Sequence, residues 1–334
     1  MNAIVVILPL ILTVARCVVF KYNGDVPSIP MNYSADGEIQ FSAAIKIDAR
    51  ETFVLGKPCG IQSKCTVQPH TNVYDPQKYG GKKVGGTNLI VLDGKALLCH
   101  VYETPIFTPA FNATPALFVA IASSGGPASL AQDGVLALNF ERFPKYSGSF
   151  RRLLELVTNK VIIFRRGAFK QQLSDKRITE TKGVFSLGEQ KISGCGDFTY
   201  RYTDKNAGWS IKADITIGGK LYSGQQISFS VDQPSKFPAA IFEQFKDKDE
   251  ADLPEAVFEI EGSKFTLNRQ NLVQYKAGKM SLDVETNSRP TIVLGRNFLK
   301  DFCIALRTNG DLASPEIGLA PIIKLKDDPE WEEL

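Results

Sequence analysis

The feature that most constrains this chain is a near-repeat. An apolar segment behind an Asp-Gly turn, Asp133-Gly134-Val135-Leu136-Ala137-Leu138, is matched far downstream by Ile292-Val293-Leu294-Gly295-Arg296-Asn297-Phe298-Leu299, which runs on into a predicted helix start. The chain of 334 residues is long enough for two domains with cores of their own. Between and around the two segments the pattern is that of short strands. Ile39 to Ile47 alternates in part, and Thr52-Phe53-Val54-Leu55 is a second short apolar run. Leu89–Leu92 and Ala96–Tyr102 flank Asp93-Gly94, a turn dipeptide, so a β-hairpin is predicted. Trp209 to Ile217 alternates and ends at Gly218-Gly219. Short helices are predicted over Phe150–Val157 and Ala239–Phe245, the first leading into a buried strand at Lys160–Phe164.

Charge and composition exclude several functions. The net charge is +3 with 22% charged residues, so nothing in the balance draws the chain to nucleic acid or acidic membranes. Arg151-Arg152 and Arg165-Arg166 are read as solvated basic pairs. Only His70 and His100 are available to a histidine-based hydrolase. There is no phosphate-binding Gly loop before a helix, no HExxH and no G-x-S-x-G elbow. No cofactor and no metal is expected.

Ala3 to Val14 is almost wholly apolar, the length of a signal-peptide core and too short to span a bilayer. Cleavage after Thr13-Val14-Ala15 or around Ala15-Arg16-Cys17 makes 1–17 a signal peptide and 18–37 a short N-terminal extension. The expected location is extracellular. Asn32 and Asn112 head glycosylation sequons. Cys17 falls at the cleavage site, leaving Cys59, Cys65, Cys99, Cys195 and Cys303, an odd set. At least one is therefore free, joined to another chain in a covalent dimer, or paired with Cys17. The Cys59–Cys65 spacing suits a small disulfide-closed loop. Residues 323–334 form an acidic tail with little to bury, read as a solvated extension.

The near-repeat, with Tyr74-Asp75-Pro76, Gly183-Val184-Phe185-Ser186-Leu187-Gly188, Trp209–Gly219, Leu253–Gly262 and the closing Ile317-Gly318-Leu319-Ala320-Pro321, resembles the pepsin-like aspartic proteases in order and separation. The resemblance runs from about Ile39 to about Pro321. It implies an all-β, mainly antiparallel, bilobal fold with a few short helices and a central interlobe cleft. The lobes would span 38–188 and 189–322.

Catalysis in that family needs two carboxylates sharing one proton, the ionised member activating water and the protonated one polarising the substrate carbonyl. The resemblance makes Asp232 the second-lobe acid, at the end of Ile227-Ser228-Phe229-Ser230-Val231. Gln233-Pro234-Ser235 then stands in place of Thr-Gly-Thr, and Pro removes a backbone N–H where Gly is expected. In the first lobe, Pro58-Cys59-Gly60 falls over Asp-Thr-Gly, or Val54-Leu55-Gly56 in a shifted register, and neither supplies an acid. Asp48 and Glu51 are placed in the preceding turn, ~15 Å or more away along an extended strand. The flap hairpin Val91-Leu92-Asp93-Gly94 lacks the family's Tyr, Ala137 replaces a Gly, and Arg296 replaces an Asp. Val91, Leu92, Pro58 and Pro234 make the expected cleft floor apolar. The implied protein is a secreted, catalytically inactive homologue that binds an extended peptide or protein in the old cleft, as a monomer. The alternatives are a weak aspartic-type endopeptidase using Asp232, or a secreted structural or storage protein on the same scaffold.

Overall fold

The structure is a computed structural model. It describes residues 17–23, 26–34, 36–37, 39–60, 65, 72–92, 95–108, 111–124, 130, 132–143, 145–166, 182–203, 207–276, 279–308 and 314–323. Residues 1–16 of the expected signal peptide, Asp93-Gly94 and the residues beyond Ile323 lie outside this set.

Strands dominate. The first part of the chain supplies β1 (Val18–Asn23), β2 (Ser28–Met31), β3 (Phe41–Lys46), β4 (Phe53–Leu55), β5 (Lys82–Leu92) and β6 (Lys95–Glu103). It continues with β7 (Ile106–Phe107), β8 (Asn112–Ala113), β9 (Ala116–Ser124), β10 (Gly134–Ala137), β11 (Val161–Arg166) and β12 (Lys182–Leu187). The second part supplies β13 (Thr199–Tyr202), β14 (Ser210–Ile217), β15 (Lys220–Phe229), β16 (Ser235–Pro238), β17 (Ala256–Ile260) and β18 (Ser263–Leu267). The remaining strands are β19 (Val273–Lys276), β20 (Lys279–Leu282), β21 (Val284–Asn287), β22 (Thr291–Leu294), β23 (Phe302–Thr308) and β24 (Pro315–Pro321). Among the described residues four short α-helices punctuate them: α1 (Lys57–Gly60), α2 (Pro76–Tyr79), α3 (Ser149–Glu155) and α4 (Ala239–Phe242).

Three sheets carry the architecture. One seven-stranded sheet, β2-β3-β10-β4-β9-β6-β5, comes from the first part of the chain. A second, β18-β17-β14-β15-β22-β16-β21, comes from the second part. A six-stranded sheet, β1-β12-β11-β23-β24-β13, takes three strands from each. Most pairings are antiparallel, while β3–β10, β4–β9, β15–β22 and β16–β21 are parallel.

Local sequence explains the elements. Asp75 caps α2 by accepting from the Gln77 N–H at 3.0 Å, Pro76 opens the helix, and Gly80 closes it at φ 68°. The hairpin β5–β6 forms as its flanking runs predict, with Leu92 opposite Lys95. In β14, Ile211, Ala213, Ile215 and Ile217 are buried while Lys212 and Asp214 are exposed, the alternation of a one-sided strand.

Trp209 ties the two parts together. Its ring centroid lies 4.6 Å from that of Phe140 and 5.1 Å from that of Phe150, and its indole N–H donates to the Leu138 carbonyl at 2.7 Å. Trp209 is 2% exposed in a core cluster that runs through both parts. Truncating such a side chain to Ala costs about 3–5 kcal/mol.

Two expectations are corrected here. Residues 18–37 are not an extension: β1 pairs with β12 along its whole length and β2 pairs with β3. Tyr22 lies opposite Gly183, where an added Cβ would sit 2.0 Å from the Tyr22 ring, so the ring occupies the space that only Gly leaves. Arg165 and Arg166 are not solvated either. They stand at 1% and 4% exposure on β11, because this strand lies inside the six-stranded sheet and is covered on both faces.

Cys59–Cys65 and Cys195–Cys303 are disulfide-bonded, Cys99 is a buried thiol and Cys17 an exposed one. No helix among the described residues is long and apolar enough to cross a membrane.

Candidate functional site

The near-repeat builds the same device twice. In the second part, β15 runs parallel to β22 with Phe229 opposite Leu294, and the Ser230 N–H donates to the Leu294 carbonyl at 2.9 Å. The chain then turns through Val231-Asp232-Gln233-Pro234 and returns as β16 on the other side of β22, antiparallel, with Lys236 opposite Val293. So β22 is held between the two limbs of one loop, with Asp232 near its apex. In the first part, β3 runs parallel to β10 with Lys46 opposite Ala137, and the Leu138 N–H donates to the Lys46 carbonyl at 2.8 Å. The chain turns through Ile47 to Thr52 and returns as β4, antiparallel to β10, with Val54 opposite Gly134.

The correspondence extends to side chains. Thr52 Oγ1 accepts from the Ala137 N–H at 3.0 Å, and Ser235 Oγ accepts from the Gly295 N–H at 2.9 Å. Val135-Leu136-Ala137-Leu138-Asn139-Phe140 therefore matches Val293-Leu294-Gly295-Arg296-Asn297-Phe298 in structure as in sequence. Following the register, Lys46 corresponds to Ser230 and Asp48 to Asp232; the first loop is then one residue longer before its hydroxyl.

This placement differs from the sequence expectation for the first loop. Val54-Leu55 belongs to β4, the returning limb, and Pro58-Cys59-Gly60 is part of the one-turn helix α1, clipped to Cys65 by its disulfide. Matching on the Cys-Gly pair shifts the motif downstream, whereas strand pairing selects the loop directly after β3. A sequence signal for that loop exists: Ile45-Lys46-Ile47-Asp48 repeats the apolar-polar-apolar-Asp order of Phe229-Ser230-Val231-Asp232.

The surroundings of Asp232 are specific. Asp232 is 8% exposed. Its Oδ1 accepts from the Ser230 hydroxyl at 2.9 Å, and its Oδ2 lies 2.6 Å from Lys46 Nζ. That ion pair joins the two seven-stranded sheets. Arg296 Nη1 donates to the Asp232 carbonyl at 3.4 Å while its Nη2 pairs with Asp283 Oδ1 at 2.7 Å. The Arg296 carbonyl in turn accepts from Arg166 Nη1 at 2.9 Å, so a polar chain runs from Lys46 to the six-stranded sheet. Asn297 braces the loop, accepting from the Ser235 N–H at 3.1 Å and donating to the Asp283 carbonyl at 2.9 Å. Gln233 and Pro234 are half-buried, and Ser235 is buried. A Cβ at Gly295 would lie 2.2 Å from the Gln233 carbonyl oxygen, so the loop closes onto the repeat with no room to spare.

Asp48 is exposed and lines a groove of roughly 410 Å³ with Lys46, Glu51, Phe53, Val91 and Arg289. Val91, at 65% exposure near the end of β5, borders it, and Leu92 ends that strand. Pro58 and Pro234 are not among its lining residues, and Arg50, Arg142 and Arg289 are, so the groove is charged rather than apolar. Burial pushes the Glu51 carboxyl above its usual range, against the pull of the Arg142 and Arg50 guanidiniums. Glu51 Oε1 is buried without a hydrogen-bond partner.

A proton-sharing dyad needs one ionised and one protonated carboxyl side by side. Asp232 has the Lys46 Nζ on one carboxyl oxygen and the Ser230 hydroxyl on the other. Sequence reasoning singles out Asp232 and does not give Lys46, Asp283 and Arg296 as its surroundings. Asn32 is half-buried where its backbone bridges Phe107, and Asn112 is exposed on β8. Among the described residues no group of three or more His, Cys, Asp or Glu is placed to hold a metal. No protein-family model and no curated protein matches the chain.

Proposed function

We propose that this is a secreted, non-catalytic relative of the pepsin-like aspartic proteases that binds an extended peptide or protein segment in the groove beside Asp48 and Asp232. The observation that carries the reading is the Lys46–Asp232 ion pair at 2.6 Å. An ammonium on the second acid takes the place that a shared proton and an attacking water would need. The paired loop-and-strand devices support the two-lobed reading, and the two disulfides are compatible with an oxidising compartment. The open edge of β5, which has β6 as its neighbour, offers backbone groups to an added strand.

One observation favours a second reading, a weak aspartic-type endopeptidase. Asp48 occupies the position in the first loop that Asp232 occupies in the second. The third reading, a structural or storage role, has no site of its own to rest on.

The deciding experiment incubates the purified secreted protein with a diverse peptide library across acidic to neutral pH, with and without pepstatin. Binding without turnover is expected. Pepstatin-sensitive turnover lost in both Asp48→Asn and Asp232→Asn would establish the endopeptidase instead. Neither binding nor turnover would leave the structural role.

A further inference from the structure

A cavity of roughly 680 Å³ shares no lining residue with the groove at Asp48. It sits on the six-stranded sheet. Lys160, Lys191 and Arg307 line it with a single acid, Asp197, and two half-buried aromatic rings, Phe198 and Tyr200. The charges are held in place. Lys160 Nζ donates to the Leu154 and Val157 carbonyls, each at 2.7 Å, where α3 ends. The Arg307 guanidinium stacks 3.4 Å from the Tyr200 ring centre and pairs with Glu316 at 2.6 Å. Lys191 meets Asp197 at 3.1 Å with both side chains almost fully in solvent, a pair worth little on its own.

The chain passes this cavity as it leaves the described structure. The Pro321 carbonyl accepts from the Gly196 N–H at 2.8 Å, and the Ile323 N–H donates to the Gly194 carbonyl at 2.8 Å. Gly196, Asp197 and Phe198 are cavity wall, and the Cys195–Cys303 disulfide anchors that wall to β23. The sequence that follows Ile323 is Lys-Leu-Lys-Asp-Asp-Pro-Glu-Trp-Glu-Glu-Leu. It carries the carboxylates of Asp327, Asp328, Glu330, Glu332 and Glu333 around one large aromatic, Trp331.

We propose that this cavity on the six-stranded sheet is the docking site for the chain's own acidic segment, 324–334. Lys160, Lys191 and Arg307 outnumber Asp197 and Glu316 by one, and that positive excess complements the segment's charge. Phe198 offers its ring to an indole. At ~3.3 Å per residue the segment reaches ~36 Å, ample to enter a cavity whose wall touches its point of attachment. Tethering supplies the rest: at an effective concentration of ~1 mM, an intrinsic Kd of about 0.1 mM fills the site roughly nine times in ten. The inference is independent of whether the groove at Asp48 binds peptide.

Trp331 provides the test, since the chain's other tryptophan, Trp209, is 2% exposed and hidden from a soluble quencher. Acrylamide quenching is measured on the full chain at low salt and compared with the synthetic peptide 324–334. Quenching several-fold weaker in the full chain is expected. It should rise toward the peptide's value at about 0.5 M salt, in Lys191→Glu, and in a chain with Asp327→Asn, Asp328→Asn, Glu330→Gln, Glu332→Gln and Glu333→Gln. Peptide-like quenching in the unaltered chain overturns the proposal. Protection that survives both the Lys191 change and the neutralised tail overturns it too. Protection that falls on dilution assigns the segment to a second copy and overturns docking within one chain.

Discussion

The ammonium of Lys46 and the carboxylate of Asp232 come from the two seven-stranded sheets and meet at 2.6 Å, with side-chain exposures of 13% and 6%. Removing Lys46 takes the ammonium from Asp232 Oδ2. Lys46→Met is expected to cost about 3–5 kcal/mol in urea denaturation, the penalty of a buried charge left uncompensated. The double variant Lys46→Met/Asp232→Leu should recover most of that loss, since an apolar pair of similar volume is often as stable as the ions it replaces. A single variant within about 1 kcal/mol of the parent would mean that water reaches the pair and screens it.

Gly295 and Ala137 occupy matching places in the repeat, yet only one tolerates a side chain. Gly295→Ala drives a methyl to 2.2 Å from the Gln233 carbonyl oxygen and 2.4 Å from the Pro234 carbonyl carbon, both backbone atoms. A loss of more than about 2 kcal/mol is expected, because backbone cannot swing aside as a side-chain tip can. Hydrogen exchange should show the Asp232 loop loosening, with the Arg296 N–H, bonded to Gln233 at 2.7 Å, among the first to exchange. Unchanged protection there would refute the close-packed loop.

The thiols should separate by exposure. Cys17 is exposed and Cys99 is buried, its pKa raised chiefly by burial. A disulfide-exchange reagent applied to native protein that retains residue 17 is expected to modify Cys17 and leave Cys99 until the chain unfolds. Any covalent dimer then runs through Cys17, and Cys17→Ser should abolish it on a non-reducing gel.

Alkaline stability is set in part by Tyr22. Burial pushes its phenol up to about 12, while Arg166 and Arg165 pull the other way. The folded value lies above that of an unfolded tyrosine, so the neutral phenol is the favoured form. Its contribution is whole below about pH 10 and is lost as the pH climbs through about 12, a span of about 2–3 kcal/mol. Tyr22→Phe should flatten that decline, measured by circular dichroism against pH. An equally steep decline in the variant would assign it to other groups.

Much of the strand pattern is legible in the sequence because alternation survives where one face meets solvent. The hairpin around Asp93-Gly94, the strand after Trp209 and the Asp-capped helix at Pro76 all have local causes written in adjacent residues. The loop that holds Asp48 is not legible as a motif, since Ala49-Arg50-Glu51 shares no residue with Gln233-Pro234-Ser235. Strand pairing, a long-range property, is required to set Asp48 against Asp232. Arg165 and Arg166 mislead for the same reason: paired basic residues read as solvated until β23 and β12 are laid on either side of their strand. Lys46 looks like the polar face of a half-buried strand, and its partner lies in another sheet.

The six-stranded sheet also dictates when the protein can finish folding. Its order sets β11 against β23, pairing Val161 with Arg307 and Phe164 with Ile304. On a ribosome, β1, β11 and β12 emerge long before β23 and β24, so the first half waits with an unpaired, apolar strand edge until those two strands are made. A chain that stops short of β23 exposes β11 to any strand that finds it.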